Sequence, residues 1–298
     1  MSHNGGGGID QEPMAKRQRN FTEAELGGPI EDEETAREKL EKAGFDPDDV
    51  TKAEYVDIPE GMWYVNPMCH FAGEGDLMMC RYLLTRGAST TAQVVGEFGE
   101  ERFPMLTDAT CGMQRVCQWL YNHGARNDVG RETTGRFKTD PLRCALGPSD
   151  VTGTQEAAQW LLLHGAIPSD DEGQLNELAL KNIFYLNTYV PGEALSQRKV
   201  FLRWAEDACF THKAFFAFLL GSTHVQQRRP ERSVHTITAC SCLSGYDGIR
   251  KRIAGYVGVI TGRKLRTVRG VIKPLKESLK DCVARRKREY GLRCEFKL

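Results

Sequence analysis

The residues with most chemistry in this chain of 298 are its ten cysteines and seven histidines. Cys209 and His212 stand close together, as do Cys240 and Cys242, with His224 and His235 between the two pairs. Thiolates and imidazoles of this kind are zinc ligands, but paired zinc knuckles usually run Cys-x2–4-Cys, and Cys240-Ser241-Cys242 is shorter. Cys209 also falls in an apolar helical pattern, where a free cysteine serves as a small hydrophobe. No metal and no cofactor is expected. Cysteine with histidine also raises nucleophilic catalysis. Yet the chain has no Gly-x-Ser-x-Gly, no phosphate loop ending Gly-Lys-Ser/Thr and no His-Glu-x-x-His. The run Gly5 to Gly8 follows no strand, so it cradles no phosphate. No catalytic site is expected, and the reading is of a protein that is not an enzyme.

Charge offers a second kind of chemistry. Lysine plus arginine and aspartate plus glutamate number 40 each, but unevenly spread. Residues 1–60 hold 7 basic and 16 acidic side chains; residues 263–298 hold 13 basic and 4 acidic. Arg263, Lys264, Arg266, Arg269, Lys273, Lys276, Lys280 and Arg285 to Arg288 make up most of the basic end. The plain reading is a solvated helix face, or one paired with the acidic N-terminus. The sharper one is a nuclear-import signal or a surface for an acidic partner. Aromatic side chains for base stacking are sparse there, so nucleic acid is disfavoured as a partner.

The elements that would position such groups are legible from a repeat. Pro67, Pro104 and Pro141 are 37 residues apart. Each begins a short apolar stretch, and each is followed by a second helical pattern ending in Gly-Ala, at Gly87, Gly124 and Gly165. Proline suits a helix's first turn, where its missing N–H is not needed. Gly75 and Gly112, each eight residues past a proline, fit a tight turn between antiparallel helices. In the second helix Met79, Cys80, Tyr82 and Leu83 recur as Val116, Cys117, Trp119 and Leu120, one buried stripe. One helix pair cannot bury such a stripe, so neighbouring pairs must stack.

Over residues 62–170 this pattern resembles the ankyrin repeat. Asn66-Pro67-Met68-Cys69-His70-Phe71-Ala72 is similar to the family's Thr-Pro-Leu-His-x-Ala, and residues 83–88 to its Leu-Leu-x-x-Gly-Ala. Threonine is replaced by Asn66, Phe103 and Asp140, the motif histidine by Cys69, Leu106 and Arg143. The period exceeds the family's 33, and unit three carries extra residues near Gly147-Pro148-Ser149-Asp150. The resemblance implies an all-α solenoid and a non-catalytic scaffold that binds an unidentified protein through its concave face. First helices and hairpin loops line that face. The contacts it implies are Glu97, Phe98, Glu100, Glu101 and Arg102 in loop one, and Arg131, Glu132, Arg136, Phe137 and Lys138 in loop two. Solvated loop residues are the plain alternative. A ubiquitin-ligase substrate receptor is the alternative function, although residues 249–269 contain no Leu-Pro-x-Pro element.

Around the repeats, residues 1–33 read as disordered, 34–61 as a short helical lead-in with a helix near 34–43, and 173–298 as a helical extension capping the stack. Within that extension, helices are expected near 175–183, over 196–220, near 249–257, and over 274–290. No stretch approaches the ~20 apolar residues of a membrane span, and no secretory signal is visible. The expectation is a monomeric intracellular protein, nuclear or cytoplasmic, with reduced cysteines.

Overall fold

The computed structural model describes residues 22–58, 61–97, 99–134, 138–147, 154–168, 174–184, 192–227, 254 and 258–290. These are mostly helical. In chain order they form α1 (Glu23–Leu26), α2 (Glu33–Lys42), a hairpin of β1 (Glu54–Ile58) and β2 (Gly61–Val65), then α3 (Pro67–Glu74) and α4 (Leu77–Thr85). A short hairpin, β3 (Val94–Val95) with β4 (Glu101–Arg102), leads to α5 (Pro104–Cys111), α6 (Gln114–Asn122) and a 3-10 turn at Ala125–Gly130. Then come α7 (Pro141–Ala145), α8 (Thr154–Leu163), α9 (Glu177–Phe184), α10 (Gly192–Gln227) and α11 (Gly262–Tyr290).

Local chemistry sets the helix ends. Asn66 accepts from the Cys69 N–H at 2.8 Å and Asp140 from that of Arg143 at 2.9 Å, so two of the three replacements for threonine are working N-caps. Phe103 makes no such bond and is instead fully buried. Pro67, Pro104 and Pro141 each open a helix. Gly75 and Gly112 end α3 and α5 in the left-handed region, φ 78° and 77°, which turns each chain back into its second helix.

The pairs stack. α3 packs on α5 and α5 on α7, while α6 packs on α8. Gly73 makes the α3–α5 approach possible, since a Cβ there would sit 2.9 Å from Thr107 Cγ2. One core runs the length of the stack, from Met68, Phe71, Met79 and Leu83 through Met105, Val116 and Leu120 to Leu142, Trp160 and Leu161. Unit three is shorter in its first helix, because α7 stops after five residues without a left-handed glycine.

Both ends of the stack depart from the sequence reading. Residues 54–58 and 61–65 pair as antiparallel strands, with Glu54 paired to Val65 and Ile58 to Gly61, where a helical lead-in was expected. The reason is period-two patterning: Val56 and Val65 are buried, while Tyr55 and Met62 are exposed. Residues 22–33 are ordered rather than disordered, as described below; residues 1–21 lie outside the described part. At the other end α10 and α11 pack on each other and on α8. α11 begins at Gly262, twelve residues before the expected start, and keeps Pro274 inside it. The buried stripe Leu265, Val268, Val271, Leu275, Leu279 and Cys282 is continuous across Pro274, so its burial outweighs one lost backbone bond. Of the helix expected near 249–257, only Ala254 is described.

Candidate recognition surfaces

Of the ten contact residues that the resemblance implies, seven are described. Glu97, Glu132 and Lys138 are exposed, and Glu100 is half-buried. Glu101 turns inward at 6% exposure. Its carboxylate accepts from Arg131 at 3.0 Å and from the backbone N–H and hydroxyl of Thr134 at 2.6 and 2.8 Å. Arg131 also lies over the Phe103 ring, 4.7 Å from its centroid. These two charges therefore tie loop two to loop one. Arg102 is stacked 3.5 Å over Trp63, and burial pushes its guanidinium below the usual arginine range. Phe98, Arg136 and Phe137 lie outside the described residues. Among the described residues of these ten, the exposed charges are Glu97, Glu132 and Lys138.

The outer side of the stack bears a feature that the motif reading passed over. Second helices place an aromatic ring and a base one turn apart: Tyr82 with Arg86 in α4, Trp119 with His123 in α6, Trp160 with His164 in α8. A strap, residues 22–32, crosses the first two of these rungs. α1 is held closed by a capping box between Thr22 and Glu25 and ends at Gly27. Trp119 Nε1 donates to the Leu26 carbonyl at 2.8 Å, and His123 Nε2 faces the Glu25 carbonyl at 2.9 Å. His123 Nδ1 lies 2.7 Å from the Trp119 carbonyl, so each ring nitrogen faces a main-chain oxygen. Arg81, 9% exposed, donates to the carbonyls of Leu26, Gly27 and Pro29 at 3.2, 3.0 and 3.0 Å. Arg86 reaches Glu33 at 3.6 Å. Leu26 is fully buried beneath the strap. All these bonds, apart from the Glu33 pair, go to main-chain carbonyls.

Other ionisable groups are buried in the core. Burial pushes the Cys69 thiol up to about 12 and raises Cys80 and Cys117 as well, so these thiols stay protonated and unreactive. Asp108 is fully buried beside Cys117, and burial holds its carboxyl well above the usual range. Arg198, 2% exposed, donates to the carbonyls of Phe184 and Ile183 at 3.1 and 3.3 Å and so closes the C-terminus of α9. Cys209 is buried on α10; the side chains of His224, His235, Cys240 and Cys242 lie outside the described residues. Among the described residues no three His, Cys, Asp or Glu side chains are grouped to hold a metal ion, and no helix is long and apolar enough to cross a membrane.

Neither protein-family models, nor curated proteins, nor solved structures match this chain.

Proposed function

We propose that this chain is an ankyrin-type, non-catalytic recognition protein that binds a protein partner through its hairpin loops and first helices. The observation that carries the reading is the like construction of three successive helix pairs, each opened by proline and each closed by a glycine at positive φ (Gly87 92°, Gly124 116°, Gly165 98°). Stacked units of that kind hold their loops on a rigid frame, the setting in which loop residues commonly do recognition. The Glu101–Arg131 tie supports it further, because it fixes one loop against the next while Glu97, Glu132 and Lys138 stay presented.

The test is partner capture from a cell extract with the parent chain and with the triple variant Glu97→Lys, Glu132→Lys, Lys138→Glu. The partner should be lost while the melting curve stays unchanged, since the three positions are exposed. Undiminished capture, or crosslinks that map away from both loops, would refute it.

A second reading has one observation of its own. Arg266, Arg269, Lys273, Lys276 and Lys280 are spaced three and four apart along α11 and are all exposed, so they line one face. That face suits an acidic partner. Binding through it would weaken steeply with added salt and would survive the triple loop variant.

A further inference from the structure

Loop one, residues 89–103, holds Glu97, Glu100 and Glu101 and a single basic side chain, Arg102. Alternation along β4 sends Glu101 inward to Arg131 and Arg102 to the opposite face, where its guanidinium lies over Trp63 of β2. Arg81, Arg131 and Arg198, also withdrawn from solvent, each have oxygen acceptors: three carbonyls, two carboxylates and two carbonyls respectively. Arg102, which is half-buried, has none among the described residues. Its Nε is sealed without a hydrogen bond, while its two terminal nitrogens are not sealed. Glu100 acts on it from a distance, but the Glu100 carboxylate lies against Gly96 rather than pairing with it. A half-buried guanidinium without an acceptor is rare, because leaving a charged donor unmade is costly.

We propose that Arg102 is the anchor of the loop surface and takes an aspartate or glutamate carboxylate of the partner protein, one with a lysine or arginine beside it in sequence. This rests on the reading that loop one binds the partner. The terminal edge of a guanidinium offers two parallel N–H groups that match the two oxygens of a carboxylate, and such a contact needs only that edge to be open. Stacking on Trp63, 3.5 Å from the ring centroid, fixes the plane of the fork before the partner arrives, so little side-chain freedom is lost on binding. The acidic neighbours decide the rest. Glu97 and Glu100 both act on the Tyr55 hydroxyl, so they lie close together, and Glu100 also acts on Arg102. A segment bringing only negative charge would be repelled by them, and a phosphate dianion more strongly than a carboxylate. A carboxylate next to a cation satisfies Arg102 and one of these glutamates together.

The probe is a displayed library of random short peptides, selected on the full chain. Selection should enrich aspartate or glutamate at one position with lysine or arginine adjacent. The affinity of a selected peptide, measured by calorimetry, should fall about 10–100-fold with Arg102→Gln, which removes the fork. Changing the peptide's acid to its amide should cost a similar factor, and the two losses should not add, since each removes the same contact. Arg102→Lys keeps the charge without the planar fork; it should also weaken binding, and it serves if the glutamine variant fails to fold. Selected peptides without an acidic residue, an affinity indifferent to Arg102→Gln, or tighter binding when phosphoserine replaces the acid overturns the inference. If such peptides still lose affinity in the triple loop variant, the loop reading stands and only the anchor is wrong. If neither change matters, both fall.

Discussion

Arg81→Met tests whether the strap is held by its main-chain bonds. Methionine keeps much of the aliphatic length of Arg81 and removes the guanidinium, with its three bonds to Leu26, Gly27 and Pro29. Charge-assisted bonds contribute ~1.5–3 kcal/mol each, so the sum taken at face value is roughly 5–9 kcal/mol. The observable loss must be smaller. The strap can leave, and its carbonyls then bond to water instead of staying orphaned. Detachment also releases about 1–2 kcal/mol of backbone entropy per residue freed. The loss is therefore capped at the net docking free energy of the strap, a few kcal/mol. It should appear as local opening rather than global unfolding. A four-residue helix cannot persist undocked, so α1 should melt as it leaves. Hydrogen exchange reads this directly. The amides of Leu26, Gly27 and Gly28, bonded to Thr22, Ala24 and Glu23, should lose protection ~10–100-fold in Arg81→Met, while amides in α5 and α6 keep theirs. Full protection at residues 26–28 in the variant would refute the claim that Arg81 holds the strap.

Three further outcomes follow from the packing. Gly73→Val should destabilise by about 1–3 kcal/mol in chemical denaturation, because its Cβ would meet the short, buried side chain of Thr107 at 2.9 Å; an unchanged midpoint would mean that α3 and α5 are not so close. Asp140→Asn should flatten the dependence of stability on pH. Burial raises the Asp140 carboxyl to about 6, so in the native state it keeps a proton that the unfolded chain releases near 3.8, and stability falls as pH rises through that window. The difference is roughly 3 kcal/mol, with Asp108 acting in the same direction; a parent-like slope in the variant would refute the assignment. Truncation after residue 172 should give an aggregating or partly unfolded product by light scattering and melting, since α8 would lose its contacts with α10 and α11. A monomeric fragment that melts cooperatively would refute this.

The legible parts of the fold were those decided within a few residues. Proline at a first helical turn, glycine at a left-handed cap and an Asn or Asp cap act on neighbours in the chain, so α3 to α8 could be placed from residues 66–166 nearly to their ends. Missed elements were decided by competition. Residues 54–65 alternate as a strand does, but the signal is only five residues long on each side of the turn. Pro274 reads as a helix start until the stripe on both its sides is seen to be buried. The loop residues show the same limit. Glu101 and Arg131 read as presented charges, and it is their approach to each other across 30 positions that withdraws them from solvent.

By itself, then, the sequence determined the helix pairs, their caps and turns, and the opposing charge of the two ends, because each depends on local backbone preference or on composition. Only the tertiary structure decided which surface is already occupied. The strap bonds to Arg81 across 52 to 55 positions and to Trp119 and His123 across 93 and 98. Its bonds to these three residues are to main-chain carbonyls, which every residue carries, so no side-chain pattern marks them in advance. Two near-identical Trp–His pairs in sequence are thus set apart by the path of a distant segment of chain, which bonds to Trp119 and His123.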